Sequence, residues 1–260
     1  MKKEYILVID SGIGGLSTLA EIMKQTHANF VYFADVKHAP YGSHLQNELF
    51  FMLKNIIKKQ LTMRDISMVV LACNTATASS IELLRAEFPN LCFVGTEPAI
   101  RLASRKNFKK ILCLTTPATS KQDKFLQLKN SLDSKITILT IENLAQNIEN
   151  FVLTRSILSY VTLLKDIFKL TKVAKTHDCV VLGCTHYVFI ADLVTKFAKK
   201  PCLDGNFGVA KRVRNRLNEQ NFKNLPVSRV LFDCSEPVKS LKENYKKILS
   251  QILANLQNVC

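Results

Sequence analysis

The chain is predicted to be an α/β protein. It should form two similar parallel-sheet domains facing a shared cleft and related by a pseudo-twofold repeat. Three observations support this prediction. Compact apolar runs of five or six residues alternate with helix-length stretches, the pattern of parallel strands covered on both faces. Six of the eight glycines (Gly12, Gly14, Gly15, Gly42, Gly95 and Gly183) fall at or beside the ends of those runs. Two segments, Leu71-Ala72-Cys73-Asn74-Thr75 and Leu182-Gly183-Cys184-Thr185-His186, place a cysteine at the same strand-to-helix passage.

The first strand is Tyr5 to Ile9, ending at Asp10-Ser11-Gly12-Ile13-Gly14-Gly15, with a helix from about Leu16 to Lys24. Asn29 to Ala34 is the second strand. Asp35 to Ser43 contains Pro40 and Gly42 and reads as a loop. A helix from about Leu45 to Leu61 precedes the strand Ser67 to Ala72, and Thr75 to Phe88 is helical up to Pro89-Asn90. Leu91 to Gly95 is a strand, and Thr96-Glu97-Pro98 opens another helix. Lys110 to Leu114 and Ile136 to Ile141 are strands, the first followed by a helix after Thr119. Helices fill much of Leu144 to Val173, and Cys179 to Gly183 is the next strand. Helix, the turn Leu203 to Gly208, helix, the strand Val227 to Phe232 and a lysine-rich helix complete the order. The expected domains are residues 1–96 plus 207–260, carrying Asp10 and Cys73, and residues 97–206, carrying Cys184 and His186. Ligands in such sheets sit at the carboxyl ends of strands.

Composition narrows the function classes. The chain has 260 residues, 47% of them hydrophobic and 22% charged, the proportions of a globular protein. No apolar run is long enough to span a bilayer. The start, Met1 to Ile6, lacks the apolar core and cleavage site of a signal peptide, so a cytoplasmic protein is expected. The eight cysteines (Cys73, Cys92, Cys113, Cys179, Cys184, Cys202, Cys234 and Cys260) form no C-x-x-C pair. Most should be inert core thiols. The net charge of +15 is dispersed, in short groups such as Lys211 to Arg216, without a nucleic-acid recognition motif. It reads as solvated helix faces; nucleic acid as a partner is not excluded by it.

A cysteine just before a helix start lies near backbone N–H groups and the positive end of the helix dipole, which favour the thiolate. Asn74 and Thr185 are residues that cap helices. Two such thiols in repeated halves suggest acid/base groups on opposite sides of one substrate. His186 could exchange a proton with Cys184 or hold a substrate carboxylate. Asp10 could cap the turn after it or assist Cys73. Rival uses are weaker. Zinc could use Cys184 and His186 with Cys73 or Asp10, but the paired spacing of structural zinc is missing. In Gly12-Ile13-Gly14-Gly15-Leu16-Ser17, Ser17 stands where a dinucleotide fingerprint needs its third glycine.

The set Asp10-Ser11-Gly12-Ile13-Gly14-Gly15, Pro40-Tyr41-Gly42, Ala72-Cys73-Asn74-Thr75-Ala76, Glu97-Pro98 and Gly183-Cys184-Thr185-His186 resembles glutamate racemase, of the cofactor-independent aspartate/glutamate racemase superfamily. The order and spacing agree over nearly the whole chain. The resemblance implies that Cys73 and Cys184 are the two catalytic acid/bases, assisted by Asp10 and His186 respectively. It implies that Asp10, Ser11, Tyr41, Gly42, Asn74, Thr75, Thr185 and His186 bind the amino acid, with Thr116 and Thr119 helping to hold it. Asp35 and Glu149 match two further carboxylates around that site. It further implies L- and D-glutamate as substrates, D-glutamate supply for peptidoglycan, no cofactor or metal, and a homodimer. A racemase of aspartate or another amino acid on the same scaffold, or a catalytically impaired binding homologue, are the alternatives. The sequence departs from the family pattern at Val36, His38 and Thr115, and residues 143–148 lack the expected prolines.

Overall fold

The structure is a computed structural model that describes residues 4–222, 224–236 and 239–257. Cys260 lies outside the described residues. The chain divides into two compact units, Met1–Thr96 with Asn206–Cys260, and Glu97–Gly205.

The first unit contains β1 (Glu4–Asp10), α1 (Gly15–Gln25), β2 (Asn29–Ala34), α2 (Gln46–Met63), β3 (Asp65–Leu71), α3 (Asn74–Glu87) and β4 (Cys92–Gly95). The second contains α4 (Ile100–Arg105), β5 (Lys110–Thr115), α5 (Pro117–Ser120), α6 (Asp123–Asn130), β6 (Lys135–Leu139), α7 (Leu144–Thr154), α8 (Ile157–Ala174), β7 (Cys179–Gly183), α9 (Ala191–Ala198) and β8 (Cys202–Leu203). The chain then returns to the first unit with α10 (Asn206–Glu219), β9 (Arg229–Cys234) and α11 (Lys239–Gln257).

Every strand pairing in both sheets is parallel. The first sheet runs β4-β3-β1-β2-β9 and the second β6-β5-β7-β8. Each has the same centre. One strand is flanked by its successor on one side and by the strand after that on the other. The order reverses beside β1 and beside β5, and such reversals open a crevice at the carboxyl ends of strands. The third strand of each set, β3 or β7, leads into a cysteine.

Successive strand residues point to opposite faces, so strands buried on both faces must be apolar throughout. In β1, Leu7 and Ile9 join Val31, Phe33, Val69 and Leu71 under Leu53 and Ile57 of α2 and Ile81 and Leu84 of α3. Ile6 and Val8 alternate to the other face and are equally buried. In the second sheet, Leu112, Leu114, Val180 and Leu182 pack against Ile148, Leu163, Ile167 and Val194 of α7, α8 and α9. Ile111, Cys113, Cys179 and Val181 pack on the opposite side with Ile100, Phe125 and Leu128. Cys113 and Cys179 are thus core thiols, and burial pushes both up to about 12.

Several local expectations change. The stretch Asp35 to Ser43 contains two 3₁₀ turns, Val36–His38 and Tyr41–Ser43. The helix expected after Thr119 is broken into α5 and α6. Asn206 opens α10, so Phe207 and Gly208 are helical rather than in a turn. Asn206 is tied to α1, accepting from Thr18 Oγ1 at 2.7 Å and donating to Ser17 Oγ at 3.2 Å. The two-residue strand β8 is too short to leave an alternating pattern in the sequence. No helix among the described residues is long and apolar enough to cross a membrane.

Candidate active site

In the first unit, three neighbouring strand ends bring Asp10, Asp35 and Cys73 together. Asp35 N–H donates to the Asp10 carbonyl at 2.9 Å, and Ala72 N–H donates to the Ile9 carbonyl at 3.0 Å. The ladder therefore continues past the paired residues of β1 on both sides. Asp10 is fully buried and its Oδ1 accepts from Gly12 N–H at 3.1 Å. Gly15 allows α1 to start directly against it. A Cβ at Gly15 would lie 2.7 Å from Asp10 Cβ and 3.0 Å from both Ala72 Cβ and Tyr32 Oη.

Cys73 is the N-cap of the 14-residue α3 and is 8% exposed. The helix expected after this thiol is present, so its N–H groups and dipole favour the thiolate. Asn74 does not cap. It is the first helical residue, it is 7% exposed, and its Oδ1 has no hydrogen-bond partner among the described residues. A buried, unsatisfied acceptor is costly unless a ligand meets it. Ser11 and Thr75 are buried, whereas Gly42 is exposed. Thr77 secures the helix start, donating to the Leu71 carbonyl at 3.1 Å and accepting from Thr96 N–H at 3.1 Å.

Tyr41 is buried and donates to Asp35 Oδ2 at 3.0 Å. Burial, then the negative groups Asp35, Cys73 and Asp10, hold its hydroxyl well above the usual tyrosine range. His38 Nδ1 donates to the same carboxylate, 2.9 Å from Oδ1 and 3.0 Å from Oδ2.

In the second unit, Cys184 ends the extended backbone after β7 and is 8% exposed. The next segment, Thr185–Ile190, is a 3₁₀ helix rather than an α-helix, and α9 starts only at Ala191. Thr185 is the buried first residue of that 3₁₀ helix, not a cap. Cys184 therefore lacks the α-helix dipole expected beside it. Two side chains stand beside it instead. Cys184 Sγ lies 3.9 Å from His186 Nδ1, and His186 Nε2 lies 2.8 Å from Glu149 Oε2. Burial alone would lower the His186 pKa, but hydrogen bonds to Cys184 and Glu149 outweigh it and hold it well above the ordinary histidine value.

Glu149 reaches His186 because residues 144–148 are helical. Asn143 takes the left-handed conformation (φ 58°) at the start of α7, one that asparagine tolerates. The missing prolines thus accompany a continuous helix. Thr115 also has a place. It is fully buried and its Oγ1 donates to the Gly183 carbonyl at 3.3 Å. A Cβ at Gly183 would lie 3.0 Å from the Leu114 carbonyl oxygen and 3.1 Å from Thr115 Cβ, so the two residues fit only as a pair. Thr116 caps α5, its Oγ1 accepting from Thr119 N–H at 3.2 Å and donating to Thr119 Oγ1 at 3.0 Å.

Two residues have surroundings that their sequence context does not announce. In the sequence His38 is only a departure from a pattern; its position three residues after Asp35 has meaning once the turn is known to be 3₁₀. Tyr187 is buried beside Cys184, and burial followed by the Cys184 charge raises its pKa. No group of three or more His, Cys, Asp or Glu side chains among the described residues is placed to hold a metal ion.

No protein-family model matches the chain. A glutamate racemase of Clostridium botulinum is 36% identical over 229 residues, covering 86% of this chain and 87% of that protein. The structure of Escherichia coli glutamate racemase in complex with L-glutamate and the activator UDP-MurNAc-Ala superposes with a TM-score of 0.79 at 22% identity, covering 96% of this chain and 95% of that one. That of Francisella tularensis glutamate racemase in complex with D-glutamate gives a TM-score of 0.74 at 19% identity, covering 98% and 95%. These last two share the fold; the clostridial identity over most of both chains settles the family, and the chain belongs to the glutamate racemases.

Proposed function

We propose that this protein interconverts L- and D-glutamate by a two-base mechanism in which Cys73 and Cys184 are the catalytic acid/bases. The observation that carries this reading is the Cys184–His186–Glu149 array, set at the strand end equivalent to the one that carries Cys73 on a helix N-terminus. Two relatives of the same fold hold L-glutamate and D-glutamate respectively.

Inverting a Cα requires a proton to leave one face and another to arrive on the other. The mechanism therefore needs one sulfur as thiolate and one as thiol, on opposite faces of the α-carbon. The thiolate takes the Cα proton, the thiol donates to the carbanion, and the two exchange states with each turnover. Asp10 assists Cys73, and His186, held by Glu149, assists Cys184. Asn74 Oδ1 supplies an acceptor for the substrate ammonium. Backbone N–H groups at the start of α3, with the hydroxyls of Ser11, Thr75 and Thr185, stabilise the carboxylate as charge develops on it. Tyr41, Gly42, Thr116 and Thr119 complete the substrate contacts, and Asp35 supports Tyr41.

No cofactor or metal takes part in this scheme. The same reading makes the protein a cytoplasmic homodimer supplying D-glutamate for peptidoglycan. It places Asp10 and Cys73 in one domain, residues 1–96 plus 207–260, and Cys184 and His186 in another, residues 97–206.

The test is incubation of the purified protein with L-glutamate in deuterated water without added cofactor, with L-aspartate in parallel. Early D-glutamate should carry deuterium at Cα while the remaining L-glutamate does not, and L-aspartate should turn over more slowly. Absence of racemisation, or activity that persists in Cys73→Ala or Cys184→Ala, refutes the mechanism.

A further inference from the structure

The helix that carries Glu149, α7, has a narrow apolar inner face. Leu144 and Ile148 are buried, and Phe151 and Val152 pack partly buried beside them. At about 100° per residue, Asn147 and Glu149 stand about 200° apart, one on each flank of that stripe. Apolar contact is non-directional, so the stripe holds α7 down without fixing its roll about its own axis. Left-handed residues, Asn143 and Arg155, bound the helix at its two ends and separate it from the chain on either side. Whatever fixes the roll must be directional.

Each flank carries one hydrogen bond to a neighbouring element. On one side Glu149 Oε2 lies 2.8 Å from His186 Nε2. On the other, Asn147 Nδ2 donates to Asp166 Oδ2 of α8 at 2.9 Å. Asp166 lies on the inner face of α8 with Leu163, Ile167 and Leu170, and it is only 6% exposed. Apolar residues fill the rest of that face, and a carboxyl buried among them is costly unless it is hydrogen-bonded. Its Oδ1 lies 3.3 Å from Lys169 Nζ, but the lysine side chain is 69% exposed, so solvent weakens that pair. The bond from Asn147 is the one that ties α8 to α7.

We propose that Asn147 and Asp166 are positioning residues: their hydrogen bond sets the roll of α7 that delivers the Glu149 carboxylate to His186. The inference rests on the reading of His186, held by Glu149, as the helper of Cys184. The chain of contact runs from Asp166 to Asn147, through the rigid helix to Glu149, and on to His186. Without the first bond α7 rolls on its apolar stripe, and the contact between Glu149 and His186 is lost for part of the time.

Asn147→Ala removes the donor, and alanine is the better helix former, so α7 itself is not weakened. Asp166→Ala removes the acceptor. Lys169→Ala leaves the bond intact and is the control. NMR titration of the His186 ring reads its contact with Glu149 and needs no turnover. In Asn147→Ala and Asp166→Ala the His186 pKa should fall by about half to one unit, with kcat/KM lower by about three- to tenfold, while Lys169→Ala matches the parent in both. In a Glu149→Ala background, Asn147→Ala should change kcat/KM by less than about twofold, because no carboxylate is left to position. Thermal unfolding checks that each variant is folded; if Asp166→Ala is not, Asn147→Ala decides alone. An unmoved His186 titration in folded Asn147→Ala overturns the proposal. So does an equal response in Lys169→Ala, or a loss that persists undiminished in the Glu149→Ala background, because the bond would then serve the fold alone. A parent that does not racemise glutamate refutes the functional reading, and the titration still decides the roles of Asn147 and Asp166; a racemising parent whose His186 ignores Asn147 does the reverse.

Discussion

Cys184 and Glu149 together hold the His186 pKa up, so removal of Glu149 should be felt at Cys184 although the two are distant in the chain. The Glu149–His186 pair is separated by 2.8 Å, with side chains only 15% and 6% exposed, so water screens it little. Glu149→Gln keeps an acceptor but removes the charge. A hydrogen bond to a charged group contributes about 1.5–3 kcal/mol and a neutral one about 0.5–1.5 kcal/mol, so the loss is about 1–1.5 kcal/mol. That corresponds to a fall of about five- to tenfold in kcat/KM. Glu149→Ala leaves the buried imidazolium without its carboxylate, at a cost of about 3 kcal/mol or more, and should lower kcat/KM by more than about a hundredfold. Enantiomers have equal free energy in water, so kcat/KM must fall by the same factor from L- and from D-glutamate. The separate kcat values are free to diverge, because only one of the two thiols has lost its helper. Circular dichroism started from each enantiomer measures both directions. A Glu149→Ala enzyme within about threefold of the parent would refute this role for the carboxylate. The same pair predicts a pH-dependent stability. The folded pKa of His186 is raised, so its contribution is fully present below the unfolded value of about 6.5 and is lost as pH rises through the folded value. Denaturation of the parent and of Glu149→Gln should therefore differ most near about pH 6 and converge as the solution becomes alkaline.

Two further substitutions address the other half of the site and its scaffold. Tyr41→Phe removes a donor from the fully buried Asp35 and should raise KM for glutamate, with a loss of about 1–3 kcal/mol in kcat/KM; steady-state kinetics unchanged within about twofold would remove Tyr41 from the site. Gly95→Ala places a Cβ 2.4 Å from Thr77 Cγ2 and 2.6 Å from Ile81 Cδ1, inside the contact of α3 with β4. Overpacking of this kind costs about 1–3 kcal/mol, so the melting temperature should drop by several degrees, and an unchanged value would contradict the packing described.

The sequence alone determined the alternation of strands and helices, because a strand buried on both faces must be an unbroken apolar run. Tyr5 to Ile9 and Cys179 to Gly183 carry that signal plainly. It also located Asp10, Cys73 and Cys184 at strand ends, since glycines and small polar residues cluster where apolar runs stop. Tertiary structure alone decided which side chains from distant elements meet at these strand ends. Glu149 and His186 meet because α7 packs over β7. Thr115 reaches the Gly183 carbonyl because β5 and β7 are neighbours. Asp35, His38 and Tyr41 converge because two 3₁₀ turns come after β2, and no hydrophobic period distinguishes those turns from an irregular loop. The segment after Cys184 is ambiguous in the sequence for a related reason. Thr185 to Ile190 carries residues compatible with either helix type, and their packing against α7 and α9 holds the tighter one. Local physics sets where each cysteine stands and puts His186 two residues after Cys184, whereas Glu149 comes from an element distant in the chain, so only the tertiary packing brings it to His186.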